Sequence, residues 1–198
     1  MNSFFKNIIA RRGKQVIGPA PDNKPFTVLK YPQKGMHRRD SKFLEASEEW
    51  LFNLDPDNGE TGPAEGEIFT KEGDSFLIVG VQRDTNDDTN RAEVYELPYQ
   101  LNYYALKGGT NKYGKAEMHP VTQILGNKEE VLRNMDRWAG STLARETFLL
   151  PVPENEPAKG CQLALLDEQN NETRNVTIDK VQPLRSSSGK LIGWRLIG

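Results

Sequence analysis

Apolar positions in this chain come in short runs bounded by Gly, Pro, Asn, Asp and Ser, not in long helical stripes. That is the pattern of many β-strands joined by turns. Glu67-Ile68-Phe69-Thr70, then Lys71-Glu72-Gly73-Asp74, then Ser75 to Val81 read as strand, turn and strand. Glu93 to Leu97 continues as a strand. Further on, Thr147 to Leu150, Gln162 to Leu166, Asn175 to Val181 and Lys190 to Ile197 each read as strands, with Ser186-Ser187-Ser188-Gly189 as a turn. Eight to ten strands are expected against one or two helices.

A short pattern recurs within these runs. Pro63-Ala64-Glu65-Gly66 opens one copy and Pro157-Ala158-Lys159-Gly160 the other, and each leads to Ile-x-x-Val-Gln, at Ile78 to Gln82 and Ile178 to Gln182. The openings lie 94 residues apart (63 to 157) and the endings 100 apart (78 to 178). The second copy is therefore six residues longer, which Glu168 to Thr173 supply as a longer hairpin loop. Self-similarity of this kind marks a repeated supersecondary unit. The expectation is a mainly β protein of two tandem small β-barrel-like modules, with the core faces of the two copies matching at Val81 and Val181.

The helical period is confined to two places. Phe4, Phe5, Ile8 and Ile9 share one face of a short helix, followed by Arg11, Arg12 and Lys14. A helix this short is marginal alone in water, so it must dock, either on its own body or on a neighbouring subunit. Asn127-Lys128-Glu129-Glu130 has the form of a capping box, and Val131, Leu132, Met135 and Trp138 follow at helical spacing to Gly140. Between them, residues 18–39 carry Pro19, Pro21, Pro25 and Pro32 and read as an extended arm with Phe26 to Tyr31 as its single strand. Residues 41–51 read as either a strand or a short helix. Gly108 to Gly114 reads as a flexible joint. The chain then divides into a helix and extended arm (1–49), a first β-module (50–107), a linker and helix (108–146) and a second β-module (147–198).

Composition narrows the setting. Hydrophobic residues make up 36% of 198, and 17 Gly and 12 Pro fit a loop-rich β protein that gains from packing on neighbours. The net charge of −2 gives no global basic footprint for nucleic acid. Cys161 is the single cysteine, so no disulfide is expected within the chain. The start is too short and polar for a secretory signal, and no apolar run reaches the length of a membrane span.

The side chains that carry chemistry do not converge on a known pattern. His37 and His119 are the two histidines, and neither has the spacing of a nucleophile–base pair or a metal site. Asp84-x-x-Asp87-Asp88 lacks the rest of a calcium loop, and Gly108-Gly109 lacks the Lys and Ser/Thr of a phosphate loop. The expectation is a protein without catalysis, metal or cofactor. Arg11, Arg12, Lys14, Lys34, Arg38, Arg39 and Lys42 give the first quarter a local positive excess. The alternative reading, a small-barrel nucleic-acid-binding protein, rests on them. Phe69, Phe76, Tyr95, Phe148 and Trp194 lie in apolar strands and read as core instead of as stacking platforms.

Phe148-Leu149-Leu150-Pro151, Pro157-Ala158-Lys159-Gly160, Val176 to Pro183, Ser188-Gly189 and Leu191-Ile192-Gly193-Trp194 together resemble a virion family. It is the neck proteins of tailed bacteriophages, the head-closure or stopper and head–tail joining proteins. Gly66 to Leu97 resembles the same pattern. The family's Asp after the turn glycine is Glu67 in one copy and Cys161 in the other, and its members are generally smaller, so this chain would be a doubled form. The resemblance implies a structural subunit of a homo-oligomeric ring between portal and tail, in the virion, assembled in the host cytoplasm and enclosing DNA. Its partners would be other neck, portal or tail proteins, with no membrane. Phe4, Phe5, Ile8, Ile9, Arg38 and Arg39 would then meet neighbouring subunits. Asp84, Asp87 and Asp88 would line the channel, or form ordinary solvated surface.

Overall fold

A computed structural model of the chain describes residues 4–31, 48–53, 62–84, 89–110, 112–129, 146–186 and 188–198. It is mainly β, with one short helix among the described residues, and it divides into two compact units.

The first unit comprises residues 1–97 with the segment Arg185–Ile192. Helix α1 (Phe4–Arg12) precedes six strands: β1 (Lys14–Ile17), β2 (Pro25–Tyr31), β3 (Glu48–Asn53), β4 (Ile68–Lys71), β5 (Asp74–Asp84) and β6 (Thr89–Glu96). They close into a barrel in the order β1-β2-β3-β6-β5-β4, β4 returning to β1 through Ile17 opposite Thr70. Its core is Val16, Val28, Trp50, Phe52, Phe69, Phe76, Ile78, Ala92 and Val94, with Phe26 and Val81 packed against it. The rings of Phe26, Phe52 and Phe69 meet one another at 5.4 to 5.9 Å between centroids, and Trp50 lies 4.9 Å from Phe76. Such tilted and edge-on aromatic pairs fill a narrow barrel.

The second unit comprises residues 98–184 and 193–198. Its strands are β7 (Tyr99–Tyr104), β8 (Leu106–Thr110), β9 (Ala116–Met118), β10 (Thr122–Glu129), β11 (Thr147–Pro151), β12 (Gln162–Leu166), β13 (Glu172–Thr177), β14 (Lys180–Arg185) and β15 (Leu191–Ile197). Seven of them form one curled sheet in the order β13-β12-β7-β10-β11-β15-β14, and β8 with β9 makes a separate hairpin. Leu101, Tyr103, Phe148, Leu149, Leu150, Leu163, Val176, Ile178 and Leu196 are buried in it.

The two units share one circuit. The order β4-β1-β2-β3-β6-β5 becomes β12-β7-β10-β11-β15 followed by β14 and β13. Strand β5 is kept whole by a bulge between Ile78 and Gly80, whereas its counterpart breaks at Ile178-Asp179 into β13 and β14. The pairing register agrees around the circuit. Thr70 faces Ile17 and Ile17 faces Pro25, while Ala164 faces Asn102 and Asn102 faces Gln123. Leu29 faces Leu51 and Leu51 faces Arg91, while Asn127 faces Leu149 and Leu149 faces Arg195. The repeat read from one hairpin thus extends to a complete six-strand circuit, with β8–β9 inserted in the second copy where the first has the short β1–β2 connection. The longer second hairpin loop falls between Leu166 and Glu172, so Glu172 and Thr173, expected in the loop, open β13 instead. Val81 and Val181 are both half-buried.

Several boundaries differ from those expected. Residues 14–17 and 25–31 are barrel strands, not a free arm, because Pro19 and Pro21 lie in the connection and Pro25 opens β2, where no ladder N–H is needed. Glu48–Asn53 is a strand. The first unit ends at Leu97, so Tyr99–Tyr104 belongs to the second. Gly108 to Gly114 is no joint between units but the turn region of the β8–β9 hairpin. Asn127, Lys128 and Glu129 do not start a helix. They pair with Leu149, Phe148 and Thr147, and a long-range ladder overrides a local capping pattern. The rest of that expected helix, residues 130–140, lies outside the described residues.

Candidate functional site

The repeated Pro-Ala-x-Gly is a turn of one geometry in both units. The Ala64 carbonyl accepts from the Glu67 N–H at 3.2 Å and the Ala158 carbonyl from the Cys161 N–H at 3.1 Å. Gly66 has φ +87° and Gly160 φ +91°, the left-handed third position of a type II turn, which favours glycine. Each glycine then donates to the isoleucine that ends its hairpin, Gly66 to Ile78 at 2.8 Å and Gly160 to Ile178 at 2.7 Å. In the first unit the turn is covered by the tip of the β14–β15 hairpin. Ser188 Oγ donates to the Glu65 carboxylate, and Lys190 Nζ donates to the Glu65 carbonyl at 2.5 Å. In the second unit the neighbour of the turn is Leu106, whose Cδ1 lies 3.4 Å from where a Gly160 Cβ would be.

Beside the first turn the barrel carries an open groove of about 290 Å3. Pro19, Phe26, Gly62, Pro63 and Phe69 line it, and Asp22, Lys24 and Glu67 supply its charges. One wall is preorganised: Gly18 N–H donates to the Lys24 carbonyl at 2.8 Å and Asn23 N–H to the Pro19 carbonyl at 3.1 Å. The other is braced by Ala64 N–H donating to the Glu67 carboxylate at 2.8 Å.

A charged clasp sits on the same barrel. Glu48 accepts from Lys30 at 2.5 Å, from the Trp50 indole at 2.8 Å and from Lys71 at 3.0 Å. Burial by itself would raise the Glu48 carboxyl, but these three donors outweigh it and hold its pKa at about 2. Lys71 Nζ also lies 5.4 Å from the Trp50 ring and 5.2 Å from the Phe76 ring. Glu48 and Lys71 are largely buried while Lys30 reaches in from the exposed side, so the clasp ties β2, β3 and β4 together.

In the second unit Cys161 is buried, and burial pushes its thiol pKa up. Burial also raises the Tyr103 phenol, which donates to the Asn155 carbonyl at 3.1 Å. A buried thiol held protonated is a packing group and not a nucleophile. The β8–β9 hairpin is different in kind: its residues from Lys107 to Ala116 are exposed where described, and the Tyr113 ring is 75% exposed. Lys112 Nζ stands 5.0 Å from that ring, and Lys107 and Lys115 share the hairpin.

The residues proposed from sequence fall as follows. Ile9 is fully buried and Ile8 half-buried, with α1 packed on β2 and β3 of its own unit. Ile9 is therefore not a contact for a neighbouring subunit. Phe4 and Phe5 belong to α1, with their side chains outside the described residues; Arg38, Arg39, Asp87 and Asp88 lie outside them altogether. Asp84 ends β5 opposite Thr89, and its side chain is outside the description. Phe69, Phe76, Phe148 and Trp194 are buried, as their strands imply, and Tyr95 is half-buried. Among the described residues no group of three or more His, Cys, Asp or Glu side chains is placed to hold a metal ion, and no helix is long and apolar enough to cross a membrane. The groove and the Tyr113 hairpin were not legible as sites, because one needs two distant loops brought together and the other reads locally as a glycine-rich joint. No protein-family model, curated protein or solved structure matches the chain.

Proposed function

We propose that this chain is a structural subunit of a tailed-phage neck, forming a homo-oligomeric ring between head and tail through protein–protein contacts. It works by surfaces and not by catalysis, in the virion, with portal, neck or tail proteins as its neighbours. The observation that carries the reading is the doubled barrel circuit, with the turn and hairpin of the neck-protein pattern at equivalent positions of both copies. A circuit that is closed in the first unit and a curled open sheet in the second offers loops and sheet edges on which a ring can be built, and heterologous contacts repeated about an axis close into rings. The exposed hairpin and the open groove are further surfaces of the kind such a subunit uses. Electron microscopy of the purified protein tests the reading. Annular particles are the expected result, together with labelling of the head–tail junction by antibody against the chain. Labelling elsewhere on the virion, or none, would refute it.

A further inference from the structure

We infer that the free edge of β13 takes up an extended segment of a partner protein, which adds to the second unit the strand that the end of β6 supplies in the first. The contact is argued from the pairing within each unit, and the ring reading supplies only its setting.

The first unit holds the filled form of this edge. Phe76 and Leu77 pair on one side with Phe69 and Ile68 of β4 and on the other with Glu96 and Tyr95 of β6. Leu97 N–H extends that ladder, donating to the Ser75 carbonyl at 2.8 Å. The carbonyls of Ile78 and Ile178 accept equivalent bonds from Gly66 and Gly160, which puts Val176 at the place of Phe76, Thr177 at that of Leu77 and Asn175 at that of Ser75. Val176 and Thr177 pair with Leu163 and Gln162 of β12, but β13 is the last strand of its sheet and has no ladder on its other side. Gly198 stands at the place of Val94, because it exchanges hydrogen bonds with Glu146 where Val94 lies opposite Glu48. Among the described residues no strand stands at the places of Tyr95, Glu96 and Leu97.

The free side of β13 is open to such a strand. Ile178 turns its N–H and its carbonyl toward Cys161 and Gly160. By strand alternation Val176 does the same toward β12, while Thr177 and Asn175 turn their backbone groups outward, and both residues are exposed. A row of outward backbone groups on an exposed edge is the template for adding a strand from another chain. The first unit specifies the occupant: a segment antiparallel to β13, with an apolar side chain at the place of Leu97, which is 2% exposed, and an acid at the place of Glu96. That acid would lie opposite Val176 and diagonal to Arg174 on the same face. Charge favours it there, since Arg174 and Lys128 share the single Glu146 carboxylate at 3.0 and 2.6 Å, two cations to one anion. A second copy's β13 does not fit. Its outward-turned residues, Asn175 and Thr177, would fall at the place of Leu97, and both are polar.

A fluorescein-labelled peptide copying residues 92–99, titrated with the full chain and read by anisotropy, tests this. Saturable binding is expected. Asn175→Pro removes an outward N–H at an edge that tolerates proline, and it should weaken binding by about tenfold, as loss of ladder hydrogen bonds does, whereas Asn175→Ala should leave it unchanged. Within the peptide, Leu97→Ser and N-methylation of the Leu97 amide should each weaken binding by about tenfold. Glu96→Lys in the peptide should weaken it by about threefold at low salt. Circular dichroism confirms that each protein variant is folded. Absence of binding, or binding indifferent to Asn175→Pro and to N-methylation, would overturn the inference. In either case annular particles at the head–tail junction would leave the neck reading standing. A chain that self-associates and loses that association with Asn175→Pro would assign the edge to a second copy, which also overturns it.

Discussion

At Glu48 four residues decide the local electrostatics of the first barrel. The carboxyl is 14% exposed and Lys71 only 11%, so the pair is shielded from the solvent that makes surface ion pairs weak. A folded pKa of about 2 against an ordinary 4.5 means stability that is present above pH 4.5 and lost as the pH falls toward 2. The shift corresponds to about 3 kcal/mol at most. Urea midpoints taken from pH 6 to pH 2 should fall through that window, and Glu48→Gln should lower the plateau while flattening the fall. Gly66 and Gly160 set a second residue-scale expectation. A Cβ at either meets nothing closer than 3.4 Å, so alanine there is resisted by backbone conformation and not by crowding. Gly66→Ala and Gly160→Ala should each cost about 1–2 kcal/mol, read by thermal melts. Gly126 is the opposite case. A Cβ would stand 2.7 Å from Leu101 Cδ1 and 2.8 Å from the Leu149 carbonyl oxygen, so Gly126→Ala should destabilise by overpacking, about 1–3 kcal/mol. The register places Val28 at the equivalent position of the first barrel, opposite Lys14, with Val16 at the place of Leu101.

Among elements, α1 is the one whose role the fold redefines. Its four apolar residues demanded a docking surface, and Ile9 finds it on β2 and β3 of its own unit. Ile9→Ala should therefore cost about 2–4 kcal/mol in the stability of the first barrel, the range for truncating a buried isoleucine. Chemical denaturation followed by tryptophan fluorescence measures it, and a wild-type midpoint would contradict the packing. The hairpins were legible because strand alternation and turn chemistry are local properties. Glu72-Gly73 turns where its sequence puts it, and the second hairpin's loop, expected at Glu168 to Thr173, ends two residues earlier because Glu172 and Thr173 already belong to β13. The start of a helix at Asn127 was misread for the converse reason: a capping box is worth little against a ladder and buried neighbours supplied by β11, which follows far along the chain.

For the whole molecule, the proposed ring makes the acidic stretch from Asp84 to Asp88 a functional question. Carboxylates repeated around a narrow channel would sum to a negative lining on which DNA slides without sticking. Replacing Asp84, Asp87 and Asp88 by Asn should leave folding intact. On the proposed function it should impair DNA retention or passage in assembled particles, scored as packaged and ejected genome. Normal packaging and ejection would mark the stretch as ordinary solvated surface.

The sequence by itself determined that this is a β protein, where most of its strands and turns lie, and that a Pro-Ala-x-Gly hairpin occurs twice, because alternation, turn residues and left-handed glycines act within a few residues of one another. Only the tertiary structure decided that the repeat is a whole six-strand circuit. It likewise decided that Lys14–Ile17 and Pro25–Tyr31 close the first barrel, that Ile9 is core, and that Phe26 and Phe69 line a groove. Those depend on pairings between residues tens of positions apart, and the energy that selects them lies in burial, which a local reading of the chain does not contain.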